Sequence, residues 1–275
     1  MFADNKCLLY TDDNLENLTN HVNSRLEIIF EWCCANKLSV NPEKCNFMLF
    51  TTKQIETNPI IKLNNENLER KKTYKYLGVM IDDDLKYKKH VDYLCGKMAS
   101  LCGVSYRLQN HLNLTSAKNI YFSCLYSIVT YCICIYGGLF QCSQRCRKLI
   151  KLHERATNNL FKPFCQNNLC VFKEMKLLKL PDIHKLCIGI YMFKIVRLNQ
   201  CPTLQSNLIL DYPSHQHDTR ARGDLVLPRP RVDALRINYV YQCKDIWNKI
   251  PIEIKSCKTL NAFKKQFTAH LLNRY

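Results

Sequence analysis

Three groups of residues have the types and spacing to do chemistry. At the amino end, Phe2-Ala3-Asp4-Asn5 is a polar tight turn carrying one carboxylate, and the strand-like run Lys6-Cys7-Leu8-Leu9-Tyr10 follows it. Cys142-x3-Cys146-x6-His153, with Cys165 or Cys170 beyond, puts soft metal ligands into one region. Neither gap is the two-residue knuckle that structural zinc uses, and Cys142 and Cys146 stand one helical turn apart. Packing on a common face is therefore the expectation, and zinc is not. The third group is basic: Arg70-Lys71-Lys72, Lys86 to Lys89, Arg145 to Lys151, Arg220 to Arg222 and Arg229 to Arg231, several beside Tyr or Phe. Such cations neutralise phosphates and release counterions, while aromatic rings stack on bases. A single run of this kind is ordinarily a solvated face.

Number and total charge turn these runs into an argument. The 275 residues hold 40 Lys+Arg against 23 Asp+Glu, a formal +17 spread along the chain. That excess suits a polyanion, nucleic acid ahead of a membrane surface. With 47% hydrophobic residues and 7 Gly, a core can form. Disorder over most of the length is excluded, as are collagen-like, β-solenoid and glycine-rich low-complexity classes. At roughly 150 residues per domain, one large or two small domains fit. Asp4, Asp12 and Asp13 interrupt the first fifteen residues, so no signal-peptide core forms there. The 17 cysteines, odd in number and irregularly spaced, are expected to be reduced, buried thiols of an intracellular protein, nuclear or cytoplasmic.

The elements that must position these groups follow from periodicity. Leu15, Leu18, Val22, Leu26, Ile29 and Cys33 fall at steps of three and four and predict a helix over 14–36 with Asp12 or Asp13 as its N-cap. After Pro42 the apolar run Cys45 to Phe50 reads as a strand. Pro59, Asn64-Asn65 and Asn67 mark two short segments able to pair as a hairpin, and Tyr74 to Ile81 reads as a further strand. From Asp82-Asp83-Asp84 onward the pattern is helical. Val91, Leu94, Met98, Leu101, Ser105 and Leu108 predict an amphipathic helix over 88–110 whose polar face carries Lys88, Lys89, Lys97 and Arg107. Further helices are expected near 115–137, 145–162, 182–198 and 260–273, with Pro202, Pro213, Pro228 and Pro230 in a looser stretch between the last two. Asn119 to Gln144 has no charged residue and is long enough to span a bilayer. Tyr121, Tyr126, Tyr131 and Tyr136 spread hydroxyls through its middle, however, where a spanning helix keeps its aromatics at the interfaces. A helix buried among helices is expected, and no membrane partner.

The amino-terminal turn resembles the F/Y-A-D-D turn of reverse transcriptases, and the resemblance continues in order along the chain. Trp32, Asn36-Lys37-Leu38-Ser39-Val40-Asn41-Pro42-Glu43-Lys44 and Met48-Leu49-Phe50 are similar to the W…NKLSLN..K…F pattern of LINE-type, non-LTR, jockey-like retrotransposon enzymes. Tyr74-Lys75-Tyr76-Leu77-Gly78-Val79-Met80-Ile81-Asp82, with Leu85 and His90, resembles their KYLGV.ID..L…H signature. Ile120-Tyr121, Tyr131, His153-Glu154-Arg155-Ala156, Trp247-Asn248-Lys249-Ile250-Pro251 and Phe263 to Leu272 follow the family more loosely.

The resemblance implies an RNA-directed DNA polymerase of α+β class. Residues 1–86 would be a partial palm with one long helix, the metal-site turn and a primer-grip hairpin. Residues 87–165 would be a helical thumb-like region, and 166–275 a helical C-terminal region. In the family the turn's aspartates, with one from an earlier strand, hold two Mg2+ or Mn2+ ions that activate the primer hydroxyl and stabilise departing pyrophosphate. Carried onto this sequence, Asp4 is the metal ligand, and Asn5 stands where the second aspartate would, a neutral amide offering only its carbonyl oxygen. Because the sequence starts at the turn, it is expected to be the C-terminal portion of such an enzyme. One carboxylate cannot hold two metals, so inactivity alone is expected. Tyr10-Thr11-Asp12-Asp13 also spells an aromatic-x-Asp-Asp turn, but it stands too close to Trp32 for the family pattern and suits a helix start.

Roles of other residues carry over in the same way. Lys44 corresponds to the lysine that protonates pyrophosphate; as a bare position it is a solvated lysine after a turn, and both readings stand. Tyr76, Leu77 and Gly78 divide between a primer-contacting hairpin, where glycine allows close approach, and a strand whose glycine marks a bulge; the hairpin is preferred. Nucleic-acid binding falls to Arg70, Lys71, Lys72, Lys88, Lys89, Lys97 and Arg107, with RNA template and DNA primer as implied partners. The contact should be sequence-tolerant, since nothing resembles a base-reading module. The alternatives are a nucleic-acid-binding module without catalysis and a non-functional product of a decayed element. An incomplete palm should leave a sheet edge and apolar surface exposed.

Overall fold

The computed structural model describes residues 6–51, 58–141, 143–165, 170–200, 225–227 and 238–275. The chain is α+β and divides into two compact units, Met1–Lys89 and His90–Tyr275.

In the first unit, α1 (Leu15–Ala35) follows the expected apolar spacing, with Cys33 buried and the rest of the stripe half-buried. Its N-cap is Asn14, whose Oδ1 accepts from the Glu16 and Asn17 amides at 2.8 and 3.3 Å. The expected cap, Asp12 or Asp13, is therefore corrected. Asp12 acts one step earlier, accepting from the Asn14 amide at 2.9 Å, because a cap must reach the second and third helical N–H groups. Asn23 on α1 then mimics a strand edge: its Nδ2 donates to the Ile60 carbonyl at 3.1 Å and its Oδ1 accepts from the Lys62 amide at 2.9 Å.

The strands form separate two-stranded ladders. β1 (Asn46–Phe47), shorter than the Cys45 to Phe50 run suggested, pairs in parallel with β4 (Glu69–Arg70). β2 (Lys62–Leu63) and β3 (Glu66–Asn67) form the hairpin marked by Asn64-Asn65, both of which take positive φ, 50° and 65°. That is the backbone a two-residue type I′ turn needs, and asparagine tolerates it. β5 (Thr73–Tyr76) and β6 (Val79–Asp82) pair antiparallel, Thr73 opposite Asp82 and Tyr76 opposite Val79. The run Tyr74 to Ile81 is thus two strands folded on Leu77-Gly78. Leu8, Leu9, Ile28, Trp32, Leu38, Phe50 and Ile60 are exposed apolar residues of this unit.

The second unit is helical. α2 (Lys88–Leu108) begins at the boundary and buries Val91, Leu94, Cys95, Met98, Cys102 and Ser105. The helix expected near 115–137 is interrupted. α3 (Leu114–Ile120) passes through a π-helical turn, Tyr121–Tyr126, into α4 (Ser127–Thr130) and stops where Cys132 adopts φ 54°. Ser123 and Thr130 hydroxyls donate to carbonyls one turn back, Asn119 O at 2.7 Å and Tyr126 O at 2.8 Å, a substitution that loosens the ladder. Short α5 (Ile133–Tyr136) follows, and the Tyr136 hydroxyl donates to the Val129 carbonyl across the break. Among the described residues no single helix is long and apolar enough to cross a membrane; Leu114–Thr130 and Ile133–Phe140 reach that length only as a pair bent by 51°.

α6 (Gln144–Phe161) and α7 (Val171–Glu174) lead to α8 (Leu180–Val196), which buries residues around most of its circumference and lies in the middle of the unit. Against it pack α9 (Tyr239–Asn248), which periodicity did not predict, and, beyond the short α10 (Ile252–Lys255), α11 (Leu260–Leu272), on which α10 rests. Phe193 stacks on Phe263 at 4.5 Å, and Trp247 and Phe267 close the aromatic cluster. At Gly189 a β-carbon would lie 2.6 Å from Phe267 Cε1, so only glycine permits this approach of α11 to α8.

Candidate nucleic-acid interface

Backbone first: the β5–β6 hairpin turns on Leu77 (φ 45°) and Gly78 (φ 84°), both exposed, with Tyr76 half-buried at the end of β5. Leucine in the left-handed region is strained, so the tip is held by its ladder and not by turn propensity. The other end is fastened by Asp82, only 6% exposed, whose Oδ1 accepts from Thr73 Oγ1 at 3.2 Å and whose Oδ2 accepts from the Lys89 amide at 3.3 Å, at the start of α2. His90 packs inward, edge to face on Tyr136 at 5.1 Å. Lys44 is exposed at the end of the 3₁₀ turn Pro42–Lys44, which Asn41 caps through the Glu43 amide at 2.9 Å.

The cations expected to bind nucleic acid separate into several groups. Arg70 Nη1 donates to Asn58, and Lys71 pairs with Glu69. Lys88 pairs with Asp84 at 2.9 Å, and Lys86 reaches the same carboxylate at 3.5 Å. Surface pairs of this kind contribute little and yield readily to a phosphate. Lys72 and Lys89 are exposed. Lys97 sits over the Tyr93 ring at 5.0 Å, and Arg107 is exposed at the end of α2.

α2 and α6 pack in parallel. The Cys95 thiol faces the Arg145 carbonyl at 4.0 Å, the Cys102 thiol donates to the Leu152 carbonyl at 3.1 Å, and Asn159 Nδ2 donates to Cys102 O at 3.2 Å and Ser105 Oγ at 3.3 Å. At about 100° of rotation per residue, Lys97 and Arg107 point away from this seam, well removed from Cys95 and Cys102 around the helix. Opposite its own buried stripe, and flanking the seam, α6 carries Arg147, Lys148, Lys151 and Arg155, all exposed. With Gln144 and Leu152 they line an open concavity of about 510 Å³. The sequence reading marked the run from Arg145 to Lys151. It missed Arg155 as a partner of that run, although steps of four from Arg147 through Lys151 lead to it.

Asp4 and Asn5 lie outside the described residues, as do Cys142 and the arginine runs at 220–222 and 229–231. Among the described residues no group of three or more His, Cys, Asp or Glu is placed to hold a metal ion. Asp82 and Asp84 are already engaged as described. The described donor set does not fit a two-magnesium centre. Cys146 and His153 both face the core; His153 is fully buried between Tyr121 and Phe172, neither ring nitrogen has a hydrogen-bond partner among the described residues, and burial pushes its pKa down to about 4. Burial likewise pushes the Cys134 thiol up to about 12 and Cys187 up to about 11, so neither is a thiolate near neutrality. Trp247-Asn248 is structural: Trp247 is buried, and Asn248 exchanges two 2.9 Å hydrogen bonds with the Leu225 backbone.

Proteins similar to this chain are RNA-directed DNA polymerases of a mobile element, a distant relationship to LINE-type reverse transcriptases. Over 139 residues, half of this chain, it is 27% identical to the RNA-directed DNA polymerase from mobile element jockey of Drosophila funebris and 24% identical to that of Drosophila melanogaster. The matched segment spans 15% of each relative's length. No protein-family model matches the chain, and no solved structure matches it.

Proposed function

We propose that this chain is a nucleic-acid-binding segment of a retrotransposon-type RNA-directed DNA polymerase, which holds primer–template through its basic surfaces and does not extend a primer by itself. The observation that carries the reading is the similarity to the jockey polymerases over half the chain. The +17 charge, the exposed cations of α2 and the exposed β5–β6 hairpin tip support it. In this reading Tyr76, Leu77 and Gly78 meet the primer strand, Lys44 donates a proton to pyrophosphate, and Asp4 is one ligand of a Mg2+ or Mn2+ centre. Asn5 in place of a second aspartate weakens that centre by removing a negative charge. Binding should be tolerant of sequence and steep in salt, since phosphate contacts release counterions.

The test is paired. Primer extension on an RNA template with magnesium or manganese is expected to give no incorporation, and measurable synthesis by this chain would overturn the inactivity. Binding of an RNA–DNA hybrid should weaken steeply with added salt; an affinity unchanged between low and high salt would overturn the binding reading.

A further inference from the structure

We infer that the outward face of α6 is a second nucleic-acid contact, a sequence-independent site for the phosphate backbone of a duplex, separate from the cations of α2. The inference rests on the reading that the chain binds nucleic acid. Arg147, Lys148, Lys151 and Arg155 stand on one face within about 12 Å of helix rise. Arg147, Lys151 and Arg155 follow one another at steps of four, a like-charge spacing that weakens a helix on its own. Among the described residues none of the four has an acidic partner. The nearby acids are engaged elsewhere: Asp92 pairs with Arg145 at 3.2 Å, and Glu154 is turned to Lys179 at 3.8 Å. The helix tolerates the repulsion because its other face, Cys146, Leu149, His153, Ala156, Leu160 and Phe161, is buried in the unit.

The shape and chemistry of the face select the partner. Four cations around a concavity of about 510 Å³ suit a ridge of phosphates. Among the described residues no aromatic side chain lines it, so bases are neither stacked nor read, and contact is confined to the backbone. An anionic lipid surface is the weaker match: a helix that binds membranes inserts its apolar face, and here that face is committed to the core.

The experiment uses the full chain, a labelled RNA–DNA hybrid in two unrelated sequences, and a potassium chloride series. The variants are Arg147→Gln/Lys148→Gln/Lys151→Gln/Arg155→Gln, the half-set Lys151→Gln/Arg155→Gln, and Lys97→Gln/Arg107→Gln. All replaced side chains are exposed, and circular dichroism checks the fold. Four phosphates at about 0.9 each predict that the fourfold variant flattens the log–log salt slope by about 3.6 and the half-set by about 1.8. The lost part corresponds to roughly 150-fold in affinity between 50 and 200 mM salt. The α2 variant should keep the α6 contribution, and both sequences should bind alike. A wild-type slope in both α6 variants, with binding intact, would overturn this inference and leave the proposed function standing. No binding by the wild type would overturn both. Vesicles of phosphatidylserine that bind the wild type and not the fourfold variant, with hybrid binding unaffected, would reassign the face to lipid and overturn the inference.

Discussion

Mild acid should destabilise the helical unit, and the size of the effect follows from two buried imidazoles. His153 is fully buried among Tyr121 and Phe172 with no hydrogen-bond partner on either nitrogen among the described residues, and burial holds its pKa at about 4. His184 is 4% exposed, its Nε2 has no hydrogen-bond partner among the described residues, and burial, aided by the Lys185 charge, holds it at about 4. In the unfolded chain each titrates near 6.5. The unfolded state therefore takes up protons first: stability is whole above pH 6.5 and falls as pH drops through 6.5 toward 4. At pH 5 each imidazole costs about 2 kcal/mol, together about 4 kcal/mol, a large part of the 5–15 typical of a domain. Urea unfolding at pH 7.5, 6.0 and 5.0, followed by circular dichroism and by fluorescence of the buried Trp247, measures it. His153→Leu should remove about 2 kcal/mol of the pH dependence at pH 5. A flat stability between pH 7.5 and 5, or a His153 proton resonance titrating near 6.5, would refute the argument.

Two further outcomes rest on side-chain contacts. Gly137→Ala would put a β-carbon 2.2 Å from His184 Cδ2 and should lower stability by about 1–3 kcal/mol, whereas Gly96→Ala and Gly103→Ala point into open space and should each raise it by up to about 1 kcal/mol; thermal melts separate the two signs. Asn248→Ala removes both hydrogen bonds to the Leu225 backbone and should cost about 1–3 kcal/mol by urea unfolding, with proteolysis beside Leu225 becoming faster.

Where residues repeat with one period, the sequence was readable. α1 and α2 follow their apolar stripes, and Asn64-Asn65 announces its hairpin because asparagine favours the left-handed turn it occupies. At the β5–β6 turn Leu77 signals strand while adopting φ 45°, so residue type alone left strand and hairpin open, and the preference for a hairpin at Tyr76-Leu77-Gly78 came from the family resemblance. The break at Cys132 was hidden because an uncharged segment gives no contrast between buried and exposed faces. Along α6 the run of basic residues was visible, but which of them stay unneutralised depends on Asp92 and Glu154, fixed by packing against α2 and by Lys179. The spacing of Cys142, Cys146 and His153 already pointed to packing and away from zinc; that His153 joins Cys146 in the core is set by the fold.

The parallel seam between α2 and α6 has a consequence during synthesis. The carbonyls that shelter Cys95 and Cys102 belong to residues fifty positions later. At about 5–20 residues per second, roughly 3–10 s pass on the ribosome before the partner helix is made, while the sulfur-bearing flank of α2 waits bare. Translation speed and nascent-chain chaperones should therefore govern the soluble yield of this unit.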